Sequence, residues 1–363
     1  MTRPEPTTER GRIRIEGFDE PAAAASLEGT ARPNVGPWSR DGDGEDAARV
    51  SRPDERTPTV GRRRRLADVW RRFRSNRAAT VGFAIVAGLV LVSVFARPIE
   101  FSAGGYAVTV QPFSLAPYDP ARPAVGPSNA GPSLAHPFGT DWAGRDVFSR
   151  VLVGGRFSLS IGAIAVALAL CVGVPLGAIA GYVGGWVDEA IMRTVDTLYA
   201  FPFLVLAIAV VAILGQGYWN VVAALVATGW LSYARLLRGE VLSIAEREYV
   251  DAAEALGIPH RTILARHVVP NAVAPVVVQA TLNVGNVVLA AAALGFLGLG
   301  LEPGTAEWGT MLAGGRSALM QGHWHVTVFP GIAIFLFVLG INLVGDGLTD
   351  ALDPRSEFER RVR

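Results

Sequence analysis

Residues Glu248–Asn271 read EYVDAAEALGIPHRTILARHVVPN, the one long, charged, plainly helical stretch set between apolar runs of membrane length. Gly257-Ile258-Pro259 divides it. Glycine suits the left-handed conformation that closes a helix, and proline suits the first turn of the next. Val250, Ala253 and Leu256 recur at helical spacing and predict one apolar face, with Arg247, Asp251 and Glu254 off it. Ile263 and His267 predict a second face, and Pro270 predicts the end of the second helix. A folded helical pair standing out from a membrane domain needs a soluble partner to dock on; without one it is an ordinary loop.

The surrounding composition makes the membrane domain. Of 363 residues 50% are hydrophobic and the net charge is +1, which predicts a multi-span protein with modest soluble parts. All 33 basic residues are arginine. Without lysine there is no GxxxxGK[ST] phosphate loop, no Schiff-base nucleophile and no Ser–Lys dyad, so any ATP that drives the protein is bound by another chain. The lone cysteine, Cys171, excludes disulfides and CxxC chemistry within the chain. His323 and His325, at i, i+2 with no nearby acid or cysteine, predict an ordinary loop rather than a metal pair, and no metal site is expected.

Residues 1–60 are poor in large apolar side chains and predict a disordered extension with no cleaved leader. Residues 61–77 carry eight arginines beside Leu66, Val69, Trp70 and Phe73, a basic amphipathic helix lying on anionic lipid rather than on nucleic acid. Ala78–Ala96 is the first span, and residues 97–155 are a long polar segment. There Thr140 or Asp141 is a candidate helix cap and Asp146–Arg150 a candidate i, i+4 ion pair. Residues 156–348 hold five further spans. The second is Phe157–Tyr182, whose Gly162, Gly173, Gly177 and Gly181 predict close helix approach. Arg193 and Asp196 are spaced to pair beside the third, which ends at the Gly215–Asn220 break. The fourth extends past Arg235 to Arg238, the fifth runs over Ala272–Leu294, and the sixth over Val326–Gly345. Residues 296–315 predict an external loop, and 349–363 a tail. On the fifth span Gln279, Asn283 and Asn286 fall at i, i+4, i+7 and share a face, either a solute path or an interhelical hydrogen-bonding strip.

Arginine sets the orientation. With both termini and the 237–271 loop inside, internal segments after residue 60 hold 18 arginines against six outside. The positive-inside rule therefore puts that loop and both termini in the cytoplasm, and 97–155 on the extracytoplasmic side.

Asp251-Ala252-Ala253, Gly257 and Val269-Pro270 resemble the Glu-Ala-Ala…Gly…Ile-x-Leu-Pro signature of permease subunits of binding-protein-dependent ABC importers. Asp251 stands for the signature Glu, His267 for Ile and Val269 for Leu. Glu248-Tyr249 ahead, Arg266-His267 behind, and His136-Pro137-Phe138-Gly139-Thr140-Asp141 with Gly144–Arg150 are similar to the oligopeptide/dipeptide/nickel branch. The resemblance covers roughly residues 62–355. It implies an all-α membrane protein with the six transmembrane helices of the type I ABC importer permease fold, multi-pass in the cytoplasmic membrane of a prokaryote. It implies no enzyme activity in this chain. ATP and Mg2+ would sit on two partner ATPase subunits, with a second homologous permease and an extracytoplasmic solute-binding protein completing the complex. The coupling loop would comprise Glu248, Tyr249, Asp251, Ala252, Ala253, Glu254, Gly257, Arg261, Arg266, His267 and Pro270. Peptides are the default solute, and nickel and oligosaccharide systems share these motifs. A secondary transporter or passive channel is the rival; the uncharged span cores oppose proton coupling but not a passive pore.

Overall fold

The computed structural model describes residues 62–103 and 106–352. The N-terminal extension and the Asp353-Pro354-Arg355 tail lie outside the described residues. Helices dominate: α1 (Arg62–Ser75), α2 (Arg77–Phe95), α3 (Val147–Val183), α4 (Gly185–Tyr199), α5 (Phe203–Leu214), α6 (Tyr218–Ala245) and α7 (Glu248–Ala255). There follow α8 (His260–Ile263), a π-helical turn (Leu264–Val268), α9 (Val269–Phe296), α10 (Trp308–Met320) and α11 (His325–Leu352). Five helical stretches are long and apolar enough to cross a membrane, and the bent pair α4–α5 makes a sixth. That pair turns by 89° where Pro202, which has no N–H to give, opens α5 after Phe201. The third span is thus broken, not one straight rod.

α3 and α6 pack closely along their length because α3 sets glycines where the α6 backbone comes nearest. A Cβ at Gly173, Gly177 or Gly181 would stand 2.6 Å from the Trp230 carbonyl, 2.4 Å from that of Ala234 or 2.7 Å from that of Arg238. Gly162 meets Val288 of α9 in the same way, at 2.4 Å. The main core, with Ile161, Tyr233, Leu237, Val241 and Leu294, lies among α3, α6 and α9. α1 leans on the end of α11: Phe73 is buried with Ala79 and Ala351. Trp70 stacks on Phe73 at 5.7 Å while half of its own surface stays exposed.

At the end of the bundle away from Glu248–Asn271 the structure departs from the spacing arguments. Residues 97–155 contain an antiparallel hairpin, β1 (Ile99–Ala103) with β2 (Tyr106–Gln111), an addition to the helical architecture. Asp146 and Arg150 do not pair, and neither Thr140 nor Asp141 caps the helix. Asp146 is itself the cap of α3, its carboxylate accepting from the Ser149 N–H at 2.8 Å and facing His136 Nδ1 at 2.9 Å. Arg150 instead donates to the carbonyls of Pro120 and Gly304, and Asp141 accepts from Arg145 Nε at 2.7 Å. A fully buried carboxylate at a helix start is best satisfied by backbone N–H groups, which outcompete a guanidinium one turn on. Residues 308–320, expected as loop, form α10. The buried Glu307 caps it through the N–H groups of Gly309 and Thr310, and Gly309 lets its first turn abut the Ala292 carbonyl. His325, the first residue of α11, is buried against the Thr140 carbonyl at 3.1 Å, and the His323 ring is 6.3 Å from it.

Candidate functional site: the Glu248–Asn271 loop and the polar face of α9

α7 hangs between α6 and α9. Its inner side is rooted in the main core by Val250 and Ala253, 1% and 6% exposed. Leu256 is not on that face: it is 80% exposed, and Ile258 takes its place in the packing. The reason is the way the helix ends. Gly257 has φ +73°, its N–H reaches the Glu254 carbonyl at 2.8 Å, and the Ile258 N–H reaches that of Ala253 at 3.2 Å. That pair of bonds is a Schellman closure, which turns the residue after the glycine inward and leaves the one before it outside.

Pro270 does not end a helix either. α8, the π turn and α9 run on from His260 to Phe296. The widened turn, in which the Val269 N–H bonds the Leu264 carbonyl, accommodates the proline inside the rod. Ile263 and Val268 are fully buried there, while His267 is half-buried and Arg261 and Arg266 are exposed.

Glu248, Tyr249, Asp251, Ala252 and Glu254, five of the candidate coupling residues, form the outer surface of α7. Ala253 belongs to the root. The spacing arguments missed a brace: Tyr182, at the end of α3, places its hydroxyl 3.2 Å from Glu254 Oε1 and 3.1 Å from His260 Nδ1. The brace straddles the Gly257 hinge. No short-range pattern could reveal it, because Tyr182 is remote in sequence. Above the hinge, α6 is tied to α4 by Arg238, which donates twice to Asp188 at 2.6 and 2.5 Å, and by the Arg235–Asp196 pair. Asp196 is thereby taken, and Arg193 pairs with Glu189 at 2.7 Å rather than with Asp196.

Gln279, Asn283 and Asn286 line a cavity of 230 Å³ that is also walled by Tyr199, Thr228 and Tyr233. Gln279 donates to Asn283 Oδ1 at 3.3 Å, and Asn283 donates to the Tyr233 hydroxyl at 3.2 Å. The face is therefore at once an interhelical strip joining α9 to α6 and the polar wall of a cavity otherwise lined largely by apolar side chains such as Val166, Phe203, Leu225 and Val287. Its polar groups are amides and hydroxyls, with no charged side chain in the lining.

Residues 173–357 match the family model described as the binding-protein-dependent transport system inner membrane component. Residues 65–132 match the N-terminal TM domain of oligopeptide transport permease C. The chain is 41% identical over 317 residues to the dipeptide transport system permease protein DppC of Alkalihalophilus pseudofirmus, covering 86% of this chain and 98% of that protein. It is 43% identical over 289 residues to the glutathione transport system permease protein GsiD of Escherichia coli, covering 79% and 90%. A solved inward-facing structure of the MetNI methionine ABC transporter aligns with TM-score 0.47 and 19% identity, over 56% of this chain and 97% of that one.

Proposed function

This chain belongs to the binding-protein-dependent transport system inner membrane component family and is an ABC importer permease of the DppC/OppC type, and we propose that its Glu248–Asn271 stretch is the lever by which separate ATPase subunits move the solute path. The observation that carries this reading is connectivity. α7 is the link between α6 and α9, and those two helices carry Tyr233, Gln279, Asn283 and Asn286 around one cavity. Because α7 is rooted by Val250 and Ala253, force on its exposed side passes into α6 and α9 rather than into a slack loop.

In this reading the loop end and both termini are cytoplasmic, residues 97–155 are extracytoplasmic, 156–348 form the core permease domain, and 61–77 lie on the lipid surface. A second permease completes the path, two ATPases carry ATP and Mg2+, and a binding protein delivers solute from outside. Small peptides are the solute class we favour. Two relatives are named for dipeptide and for glutathione, and an uncharged, largely apolar lining with a strip of amides and hydroxyls suits a peptide better than a bare divalent cation, which prefers charged or imidazole ligands. The test is uptake into proteoliposomes holding the complete complex with its binding protein. Labelled di- and tripeptides should enter in an ATP-dependent way. Uptake of nickel or an oligosaccharide in their place would refute the solute class, and ATP-independent uptake would refute the importer mechanism.

A further inference from the structure

We propose that the cavity at the end of α2 remote from the coupling loop holds the phosphate of an anionic phospholipid, whose acyl chains lie along the exposed face of α2. α2 has 19 residues, about 28 Å at 1.5 Å per residue, close to the ~30 Å hydrocarbon thickness. Arg97, two residues beyond its end, therefore stands at headgroup level. There Arg97 and Arg156, with Pro98, Ala121, Phe157 and Thr305, line a cavity of 570 Å³.

The charges there do not balance. Arg97 is paired with Asp119 at 3.2 Å. Arg156 donates from Nε to the Ser93 carbonyl at 2.8 Å, and from Nη2 to the carbonyls of Val94, at 2.6 Å, and Arg97. Among the described residues no carboxylate pairs with Arg156, and its Nη1 makes no hydrogen bond. Among the described residues two guanidiniums stand against one carboxylate, a positive excess that the carbonyl dipoles at the end of α2 offset in part. A phosphodiester oxygen is the acceptor that suits a free guanidinium N–H.

The second observation gives the source of that phosphate. Val90 and Val94 fall at i, i+4 on one face of the last turns of α2, just before Arg97, and Val90, Leu91 and Val94 are 41%, 56% and 37% exposed. α2 as a whole is apolar, of membrane length and only 17% buried within the chain, and a strip on it that leads up to an uncompensated cation matches a phospholipid: chains along α2, phosphate in the cavity. A free phosphate ion would use the cavity and leave the strip without a role.

The test uses the complete purified complex, incubated with phosphatidylglycerol or phosphatidylcholine, washed, and analysed for retained lipid by native mass spectrometry. Wild type should retain phosphatidylglycerol in preference to phosphatidylcholine. Arg97→Gln should lower that retention about fivefold, the factor one guanidinium supplies near an anionic surface, whereas Arg316→Gln, at an exposed position of α10 outside the cavity, should leave the bound lipid in place. Arg156→Gln should lower it further. Because Arg156 also holds the last turn of α2, the deciding variant is Arg97→Gln, which spares those backbone contacts. Equal retention by wild type and Arg97→Gln, or equal retention of the two lipids, would overturn the proposal; either is the result expected if the second permease covers the strip instead. Protection of the lipid-free complex against thermal unfolding by millimolar inorganic phosphate, lost in Arg97→Gln, would place a free anion there and overturn it too.

Discussion

Replacing Gly257 with valine tests the lever at its weakest point. An added Cβ would meet nothing within 4 Å, so no steric collision contributes and the whole effect comes from the backbone. At φ +73° an L-residue carries a penalty of about 1–2 kcal/mol, and a β-branched one up to about 3. If valine leaves that conformation, the Gly257–Glu254 and Ile258–Ala253 bonds are lost together and Ile258 swings off the core. A cost of about 2 kcal/mol lowers the population of the native hinge relative to its alternatives roughly 30-fold. The spans, packed elsewhere, should still insert. The assay is binding-protein-stimulated ATP hydrolysis and peptide uptake by the reconstituted complex, measured together. Gly257→Val should lose most of both. Gly257→Asn, which enters the left-handed region readily, should keep most of both. Wild-type coupling in the valine variant, or equal damage from asparagine, would refute the hinge argument.

Three further outcomes follow from the geometry. Gly177→Val sets a side chain against the Ala234 carbonyl at 2.4 Å, and should destabilise α3–α6 packing by about 1–3 kcal/mol or more, read as a lower midpoint of thermal unfolding of the purified complex. Asp146→Asn weakens the cap of α3 and its bond to His136, and should cost about 1–3 kcal/mol by the same measurement, with Asp119→Asn on the exposed surface nearly silent. Cysteine at Gln279, Asn283 or Asn286 in a Cys171→Ser background should react with a small polar thiol reagent, and more slowly in one transport state than in the other. Failure to react in both states would leave only the interhelical role.

The membrane spans were legible because hydrocarbon thickness imposes a length on any apolar run, and Gly257 stood out because only its residue type suits the turn. Leu256 was misplaced by periodicity, since helical spacing continues on paper past Ala255 where the glycine closure ends the helix. Pro270 misled for a similar reason: a π turn supplies the slack that lets a proline sit inside a rod, and no residue type marks it. The Asp146 error has a different origin. Spacing identifies the side chains that can meet, but burial at a helix start decides in favour of backbone N–H groups and His136, ten residues earlier. The Tyr182 brace and the Arg238–Asp188 tie join residues far apart in the chain and become visible only once α3, α4 and α6 are assembled.

The most direct measurement of the central claim is a contact. Leu256 is the apolar tip of the loop, 80% exposed, and Met320, 86% exposed, stands at the far end of the bundle. A cysteine-reactive photo-crosslinker at Leu256→Cys, in the Cys171→Ser background of the assembled complex, should capture an ATPase subunit, and the same label at Met320→Cys should not. Capture at both positions, or none at Leu256, would contradict the assignment of Glu248–Asn271 as the ATPase-coupling element.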